Sequence, residues 1–235
     1  MTAPLVDIKG LSFAWTKADP LLSIDQFTLA PGERLFLRGP SGSGKSTFLG
    51  LVCGVLDPQS GALNVAGQDL TRLARHKRDQ LRADKMGVIF QMLNLVPYLT
   101  VLQNVTLACR FSRPRRARVE AAGGAAQEAT RLLAHLGLDD KNLLARKATD
   151  LSVGQQQRVA AARALIGAPD LIIADEPTSA VDADNRDRFI DLLLAEATAS
   201  GAGLIFVSHD GDLAHHFDRA VDLAAINAAR QEHLA

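Results

Sequence analysis

A glycine-rich octapeptide that ends in lysine and serine occupies residues 39 to 46. It reads Gly39-Pro40-Ser41-Gly42-Ser43-Gly44-Lys45-Ser46, and Thr47 follows it. Glycines let successive backbone N–H groups converge on phosphate oxygens, because no Cβ stands in the way. Lys45 is placed to reach the β- and γ-phosphates of a nucleotide, and the Ser46 hydroxyl is a suitable Mg²⁺ ligand. The alternative is a glycine-rich turn with an exposed lysine. Such a turn does not need all eight positions to match the phosphate-binding pattern, as they do here.

Two adjacent acidic residues, Asp175 and Glu176, end the apolar segment that begins at Leu171. Ligands of open α/β sheets bind at the carboxyl ends of the strands, so a strand that ends in acids belongs at such a crevice. Asp175 is placed to hold Mg²⁺, and Glu176 is a candidate general base for a water that attacks the γ-phosphate. Such a pair also occurs at the ends of surface strands, but together with the glycine-rich loop it indicates nucleotide hydrolysis.

The segments that carry these residues alternate between strand and helix patterns, which predicts an α/β fold. The predicted strands cover residues 5–15, 24–29, 35–37, 61–65, 86–90, 171–174 and 204–207. A buried helix is predicted over 45–55, and 119–138 predicts one amphipathic helix weakened by Gly123-Gly124. Because 97–150 is rich in Ala, Arg and Leu, we expect a helical insertion in an α/β core. The pattern of 221–235 is helical as well.

The composition excludes several classes of protein. The chain has 235 residues, with 26 Lys and Arg against 26 Asp and Glu, so the formal net charge is zero. A neutral chain gives no global electrostatic argument for binding nucleic acid or anionic lipid. No apolar run approaches the ~18 residues that span a bilayer, and the N-terminal residues lack a signal-peptide pattern. We therefore expect a cytoplasmic protein that does not bind nucleic acid.

Three smaller features are interpreted as structural. Cys53 and Cys109 have neither metal-site nor disulfide spacing, which predicts two buried, reduced thiols. The basic run at 113–118 could contact phosphates, but a solvated helix start with Pro114 fits its pattern better. The pair at 215–216, two histidines, has no further ligand at helical spacing, which argues against a metal site.

Several further motifs, in their usual order, resemble those of the ATP-binding cassette (ABC) ATPases. The segment Leu151-Ser152-Val153-Gly154-Gln155 is similar to the signature motif of this family, with Val153 where glycine is usual. Gln91 resembles the Q-loop glutamine, Ser179-Ala180-Val181-Asp182 resembles the D-loop, and His209 resembles the switch histidine after a strand. Trp15 lies where an adenine-stacking aromatic is expected, in place of the more usual tyrosine. The similarity extends from about residue 5 to about residue 218, and the tail lacks the family's glycine-centred hairpin.

This resemblance implies a fold and two cofactors. The implied fold is a P-loop NTPase (RecA-like) core sheet with an N-terminal antiparallel β-subdomain and an inserted α-helical subdomain. The chain is then a single domain over 1–235, with the core at 1–91 and 160–235 and the helical insertion at about 92–159. The implied cofactors are ATP and Mg²⁺, and the implied metal ligands are Ser46, Gln91 and Asp175.

The resemblance also implies that hydrolysis needs two copies of the chain. They would pack head to tail, so that the signature residues Ser152, Val153, Gly154 and Gln155 of one copy meet the γ-phosphate on Lys45 of the other. In this arrangement Glu176 is the base, His209 orients the water, Gln91 senses the nucleotide, and Asp182 communicates across the interface. The catalytic set is therefore Lys45, Gln91, Glu176 and His209.

The segment Gln91–Val101 is unusually apolar for a connection between elements. It packs in part within the helical insertion, and it also predicts a docking site for a short coupling helix of an integral membrane permease. The pattern over 93–105 is similar to ATPases of the MacB and lipoprotein-release type, which favours export or mechanotransmission at the inner face of the cell membrane. Importer ATPases, such as those for amino-acid uptake, share much of this pattern and stay the alternative. A soluble ABC ATPase of DNA repair or translation fits less well, because it needs two cassettes or a long coiled coil and a nucleic-acid footprint.

Overall fold

Two β-sheets form the framework of the chain. The computed structural model describes residues 3–16, 20–178 and 183–231. The first sheet is antiparallel, has the spatial order β2-β1-β4-β5, and contains β1 (Val6–Phe13), β2 (Leu22–Leu29), β4 (Ser60–Val65) and β5 (Gln68–Asp69). The second is parallel, has the order β6-β7-β8-β3-β9, and contains β3 (Arg34–Arg38), β6 (Met86–Ile89), β7 (Leu171–Asp175), β8 (Gly203–Val207) and β9 (Arg219–Asp222).

The helices of the described residues follow the strands in two groups. Around the sheets lie α1 (Lys45–Val52), α2 (Arg75–Lys85), α7 (Ala183–Ser200), α8 (Leu223–Ile226) and α9 (Ala228–Gln231). Between β6 and β7 the chain forms α3 (Val101–Phe111), α4 (Arg113–Ala121), α5 (Ala125–His135) and α6 (Val153–Leu165), with short 3₁₀ turns at Lys141–Ala145 and Ala148–Asp150. A third 3₁₀ turn covers Gly211–His216.

The parallel sheet is buried on both faces, and this explains its continuous apolar sequence. Leu35 and Leu37 of β3 pack with the antiparallel sheet and α1, whereas Phe36 between them packs with the helices α3 to α7. All residues of β8 are buried, and so are the first four of β7. The carboxyl ends of β3, β6, β7 and β8 therefore meet at one edge, which brings together the loops that follow these strands.

The strands confirm the predicted α/β pattern, and two edge strands were missed. The seven predicted strand segments correspond to β1, β2, β3, β4, β6, β7 and β8, each within a few residues of its observed bounds. The short strand β5 and the charged edge strand β9 lack the apolar run that marks the buried strands. Helix α1 ends at Val52, three residues before the predicted end, and Gly54 follows with φ of +64°.

Two helix predictions were wrong. Residues 119–138 do not form one helix, because the chain turns between α4 and α5 at Gly123 and Gly124, each with φ of +103°. Only glycine adopts this region at little cost, so the pair ends one helix and begins the next. Within 221–235, Val221 pairs with Leu37 as part of β9, and the two short helices α8 and α9 follow.

The basic run at 113–118 is not a solvated helix start throughout. Arg115 is only 2% exposed, and its guanidinium donates to the carbonyls of Ile166 (2.8 Å), Ala164 (2.7 Å) and Met86 (3.1 Å). Burial lowers the pKa of Arg115 to about 10, which leaves it charged at neutral pH. The side chain therefore satisfies carbonyls at the end of α6, and Arg118 does the same for the carbonyl of Gly167 (2.6 Å).

Both cysteines are buried and free, as predicted. Burial raises the pKa of the Cys53 thiol to about 12, so it stays protonated at neutral pH. Over the described ranges, no helix combines the length and the apolar character that crossing a membrane requires. The same residues contain no cluster of three or more His, Cys, Asp or Glu side chains arranged for a metal ion.

Replacement of Arg115 tests the proposed packing of α4 against the end of α6. We expect Arg115→Met to lower the free energy of unfolding by about 3 kcal/mol, because the buried carbonyls lose their donors. Urea denaturation measures this change. The control is Arg113→Met on the same helix, where the side chain is exposed and the effect should stay within about 0.5 kcal/mol. Equal effects of the two substitutions would contradict the assigned role of Arg115.

Candidate functional site

The glycine-rich loop connects β3 to α1, as its sequence predicts. Gly42 and Gly44 have φ of +73° and +99°, which bends the chain tightly before α1 begins. Gly39 must lack a side chain, because a Cβ there would lie 2.8 Å from Ser43 Oγ. No side chain caps α1 at its N-terminus. The N–H groups and the positive end of the helix dipole are therefore suited to an anion.

Lys45 lies over its own loop rather than extending into solvent. Its Nζ donates to the carbonyl oxygens of Gly39 at 2.7 Å and Pro40 at 3.1 Å, and the residue is buried. An ammonium group has three donors, and two are used by these carbonyls. The third is available to an anion in front of the loop, so the exposed-lysine alternative does not describe this side chain.

Ser46 and Asp175 form the oxygen-rich end of the site. Ser46 Oγ donates to Asp175 Oδ2 at 3.4 Å, which joins the start of α1 to the end of β7. Burial raises the pKa of Asp175, and the neighbouring Glu176 raises it further, while Ser46 and Lys45 act in the opposite direction. Hydroxyl and carboxylate oxygens are the ligands that Mg²⁺ prefers, so this pair fits a magnesium ion beside bound phosphates.

Two side chains from the ends of β6 and β8 converge on the carboxylate of Glu176, which follows β7. Gln91, which follows β6, donates from Nε2 to Glu176 Oε2 at 3.5 Å. His209, which follows β8, has Nδ1 at 3.5 Å from the same oxygen. Glu176 has φ of +45°, and its backbone N–H donates to the carbonyl of Val207 at 2.9 Å. A non-glycine residue in this left-handed region is strained, and such strain clusters at functional sites.

Most of these groups line a cavity of about 360 Å³, whereas His209 approaches Glu176 from outside that lining. Its lining consists of Leu21, Ser41, Gly42, Ser43, Gly44, Lys45, Ser46, Thr47, Gln91, Asp175 and Glu176. The structure thus brings together the predicted phosphate loop, the predicted metal ligands and the predicted base. The cavity has a cationic loop on one side and two acids on the other, which fits a phosphate chain with a divalent cation.

Trp15 and the signature segment do not line this cavity. The Trp15 side chain is 66% exposed and stands edge-on to Phe13, with ring centroids 5.2 Å apart. Ser152 begins α6 in a capping box: its Oγ accepts from the N–H of Gln155 at 3.3 Å, and Gln155 Oε1 accepts from the N–H of Ser152 at 3.0 Å. The Ser152 hydroxyl proton is left to donate elsewhere, and the Val153 side chain is exposed. The predicted D-loop aspartate, Asp182, lies outside the described residues.

Two polar residues of α6 support the site and were missed in the sequence. Gln157 is buried and donates from Nε2 to the carbonyl of Pro177 at 2.8 Å, directly after Glu176. Arg163 donates to the carbonyls of Leu93 and Asn94, both at 2.6 Å, in the segment after Gln91. A glutamine and an arginine on the apolar face of a helix are signals that could have identified them.

Sequence comparisons find known proteins that are similar over most of the chain. The sequence profile of the ABC transporter family matches residues 22–179. The lipoprotein-releasing system ATP-binding protein LolD of Pseudomonas syringae is 39% identical over 203 residues, which are 86% of each chain. The uncharacterized ABC transporter ATP-binding protein YbbA of Escherichia coli is 40% identical over 201 residues, covering 86% of this chain and 84% of that protein. An uncharacterized ABC transporter ATP-binding protein of Mycobacterium tuberculosis is 38% identical over 224 residues, covering 94% of this chain and 87% of that protein.

Solved structures agree with the fold as well. The ATP-binding cassette MJ0796, captured as a dimer in a post-hydrolysis state with ADP and Pi, has a TM-score of 0.80 and 31% identity. The comparison covers 92% of this chain and 93% of that one. The expected P-loop NTPase fold, with an antiparallel sheet, a parallel sheet and associated helices, is confirmed.

The raised pKa of Asp175 predicts a pH-dependent stability. An acid with a raised pKa in the folded state favours folding when it is protonated, and this contribution is lost as the pH rises from its ordinary value of 3.8. We therefore expect Asp175→Asn to unfold at a higher temperature than the unchanged chain at pH 7 without nucleotide. Thermal unfolding from pH 3 to pH 8 measures this, and the advantage should vanish towards pH 3. A variant that is less stable at pH 7 would contradict the burial of an unfavourable charge.

Proposed function

The chain belongs to the ABC transporter family as an ATP-binding, ATP-hydrolysing cassette, and from that premise we propose that it drives a membrane partner of the lipoprotein-release or MacB type. The carrying observation is the convergence of Gln91 and His209 on Glu176 beside the phosphate loop. This arrangement can bind a nucleoside triphosphate and activate a water. It also connects directly to a segment with exposed apolar side chains, where a partner can sense the state of the site.

In the proposed reaction Glu176 accepts a proton from the attacking water. His209 and Gln91 lie near the same carboxylate oxygen and orient the base and the water. Lys45 and the N–H groups at the start of α1 stabilise the negative charge on the γ-phosphate. Mg²⁺, when bound by Ser46 and Asp175 with Gln91 near it, neutralises charge on the phosphates. Trp15 stacks on the adenine from the β1 end of the site.

We propose that the reactive unit is a head-to-tail dimer. The signature segment Ser152–Gln155 is absent from the cavity of its own chain, although it presents a hydroxyl donor and a helix N-terminus. Both features suit a phosphate, so a second copy is the source of the missing half of the site. The MJ0796 cassette, which forms a dimer with ADP and Pi, supports this arrangement. Asp182 is proposed to communicate between the two copies.

The proposed docking site for the membrane partner is an apolar groove near Gln91. A cavity of about 460 Å³ lies where α2, β6, α3 and α6 meet, with Phe90, Leu107 and Phe111 among its lining residues. Phe111 is 68% exposed, and Tyr98 of the nearby segment is 75% exposed. A short amphipathic helix with an apolar face fits such a groove. Arg163 holds the carbonyl of Asn94 at the rim of the groove. A partner helix bound in the groove would therefore contact the segment that follows Gln91.

The proposed transporter subtype is supported by the similar proteins and by the sequence pattern over 93–105. The similarity to LolD, whose name assigns it to a lipoprotein-releasing system, favours a machine that extracts or exports substrates at the cell envelope. The chain then acts in the cytoplasm, attached to the inner face of the membrane through its partner. Uptake, as in amino-acid importers, is the alternative, and the neighbouring reading frames distinguish the two. Four membrane spans with a large extracytoplasmic domain favour mechanotransmission, whereas five or six spans beside a binding protein favour uptake.

Removal of the proposed base tests the hydrolytic mechanism. We expect Glu176→Gln to hydrolyse ATP at least about 100-fold more slowly, because the water loses its proton acceptor while the binding loop stays intact. Mg–ATP should then hold the variant as a dimer, with a mass in solution near twice 25.1 kDa. Release of phosphate and light scattering measure the two effects. Glu120→Gln, at an exposed position, is the control, and undiminished hydrolysis in the Glu176 variant would remove Glu176 from this role.

A charge placed on the docking surface tests the proposed partner site. We expect Tyr98→Asp to reduce co-purification with the membrane fraction at least about ten-fold, since the charge must be desolvated in an apolar contact. The unfolding temperature should not change, because Tyr98 is exposed. Val55→Asp introduces the same charge at an exposed apolar side chain after α1, and we expect it to bind membranes normally. Phe111→Asp places the same charge at an exposed side chain that lines the groove, and we expect the same loss of membrane binding. If Tyr98→Asp and Phe111→Asp both leave membrane binding intact, the groove is not the docking site.

A further inference from the structure

The C-terminal residues 219–231 pack against two elements beside the nucleotide cavity, strands β3 and β2. On one side β9 pairs with β3, and Asp222 lies opposite Arg38, directly before the phosphate loop. Leu223 is fully buried, and its Cβ lies 3.7 Å from the position of a Cβ on Gly39. On the other side the short helices α8 and α9 contact β2. This tail has no role in the mechanism described so far.

Arg219 of this tail donates to the carbonyl of Thr28 near the end of β2, and Asn227 makes the polar contacts at the start of β2. Asn227 is 0% exposed, and both ends of its amide are used. Oδ1 accepts from the N–H of Ser23 at 2.8 Å, and Nδ2 donates to the carbonyl of Leu21 at 2.9 Å. A carbonyl and the N–H two residues later lie on the same side of an extended chain. The amide of Asn227 therefore takes the place of the N–H and the C=O of one residue in a neighbouring parallel strand.

This contact falls on the outer edge of the antiparallel sheet. In the part of the chain that the structure describes, β2 is an edge strand, and no strand pairs with its outward N–H and C=O groups. Buried backbone groups need partners, and Asn227 supplies them at the point where β2 begins. The tail thus fixes the backbone of Leu21–Ser23 across more than 200 positions of sequence.

Asn227 holds the segment Leu21–Ser23, and Leu21 of this segment forms part of one wall of the nucleotide cavity. Leu21 lines the cavity, and Leu22 Cδ2 would lie 3.0 Å from a Cβ on Gly44, so this wall packs closely on the phosphate loop. The N–H of Leu21 donates to the carbonyl of Phe13 at 2.8 Å. Phe13 in turn contacts the ring of Trp15. A displacement of Leu21 would therefore also move Trp15, which lies where the adenine of the nucleotide is expected.

We propose that Asn227 is a positioning residue for the part of the nucleotide site that binds adenine. The inference rests on the proposed function, in which phosphates bind at Lys45 and adenine stacks on Trp15. The bonds from Lys45 to its own loop do not involve the tail, and Leu22 approaches Gly44 of the loop with the end of its side chain, so the phosphate half of the site depends less on Asn227. The wall at Leu21–Ser23 loses both tail bonds. Asn227 therefore contributes more to the affinity for adenine than to that for the phosphates.

The test compares two ligands on the full chain. We expect Asn227→Ala to bind Mg–ATP about five-fold or more weakly, and to bind Mg–tripolyphosphate within about two-fold of the unchanged chain. Trp15 is the single tryptophan, so its fluorescence reports the ATP titration, and calorimetry reports the binding of tripolyphosphate. Asn227→Asp keeps an oxygen that accepts from the N–H of Ser23, but its second oxygen replaces the amide nitrogen and repels the carbonyl oxygen of Leu21. It provides the same comparison if the alanine variant does not fold.

A control variant separates positioning from general stability. Val65→Ala removes a buried side chain from the same sheet. Val65 pairs with Val6 at the start of β1, whereas Phe13 lies at the other end of that strand. We expect it to lower the unfolding temperature and to leave the affinity for Mg–ATP unchanged. Unchanged ATP affinity in the Asn227 variants would overturn the inference, and so would an equal loss for tripolyphosphate. The proposed function itself fails if the unchanged chain and Lys45→Ala bind Mg–ATP equally.

Discussion

The buried ammonium of Lys45 is the charge on which the rest of the site depends. It is bonded to the carbonyls of Gly39 and Pro40, which closes the phosphate loop around it. A buried cation is costly unless it is paired, and carbonyl oxygens satisfy it only in part. Asp175 at the end of β7 interacts electrostatically with Lys45, and a phosphate chain bound in the cavity would complete that pairing. The parallel sheet is needed because it brings this loop and Glu176 to one edge.

Helix α6 joins the parts of the site that have to move together. Ser152, which caps its N-terminus, presents a donor to a second copy in the proposed dimer, and the buried Gln157 of the helix holds the carbonyl after Glu176. Near its other end Arg163 holds the two residues, Leu93 and Asn94, that follow Gln91 with positive φ. A change at the signature segment is thus mechanically connected to the base and to the docking groove. In the proposed function, this connection would couple the nucleotide site to the membrane partner.

The sequence predicts the local parts of this design well, because they depend on residue type and spacing. The phosphate loop after β3 and the acids after β7 follow from glycine freedom and from the position of strand ends. Contacts between distant segments were not predictable in this way. Arg115 looks like part of a solvated basic run until α4 is seen to pack on the end of α6. Asn227 has no local motif at all, since its partners lie at the other end of the chain.

A structure of the chain bound to Mg²⁺ and a non-hydrolysable ATP analogue tests the central claim most directly. The decisive quantity is the distance from the γ-phosphate held by Lys45 to the nearest Ser152 Oγ. The proposed dimer predicts a hydrogen bond of about 2.7 Å, made by the partner's Ser152 across a two-fold axis. A nucleotide bound to one copy alone, with Ser152 left in solvent, would contradict the account of a site completed by a second chain.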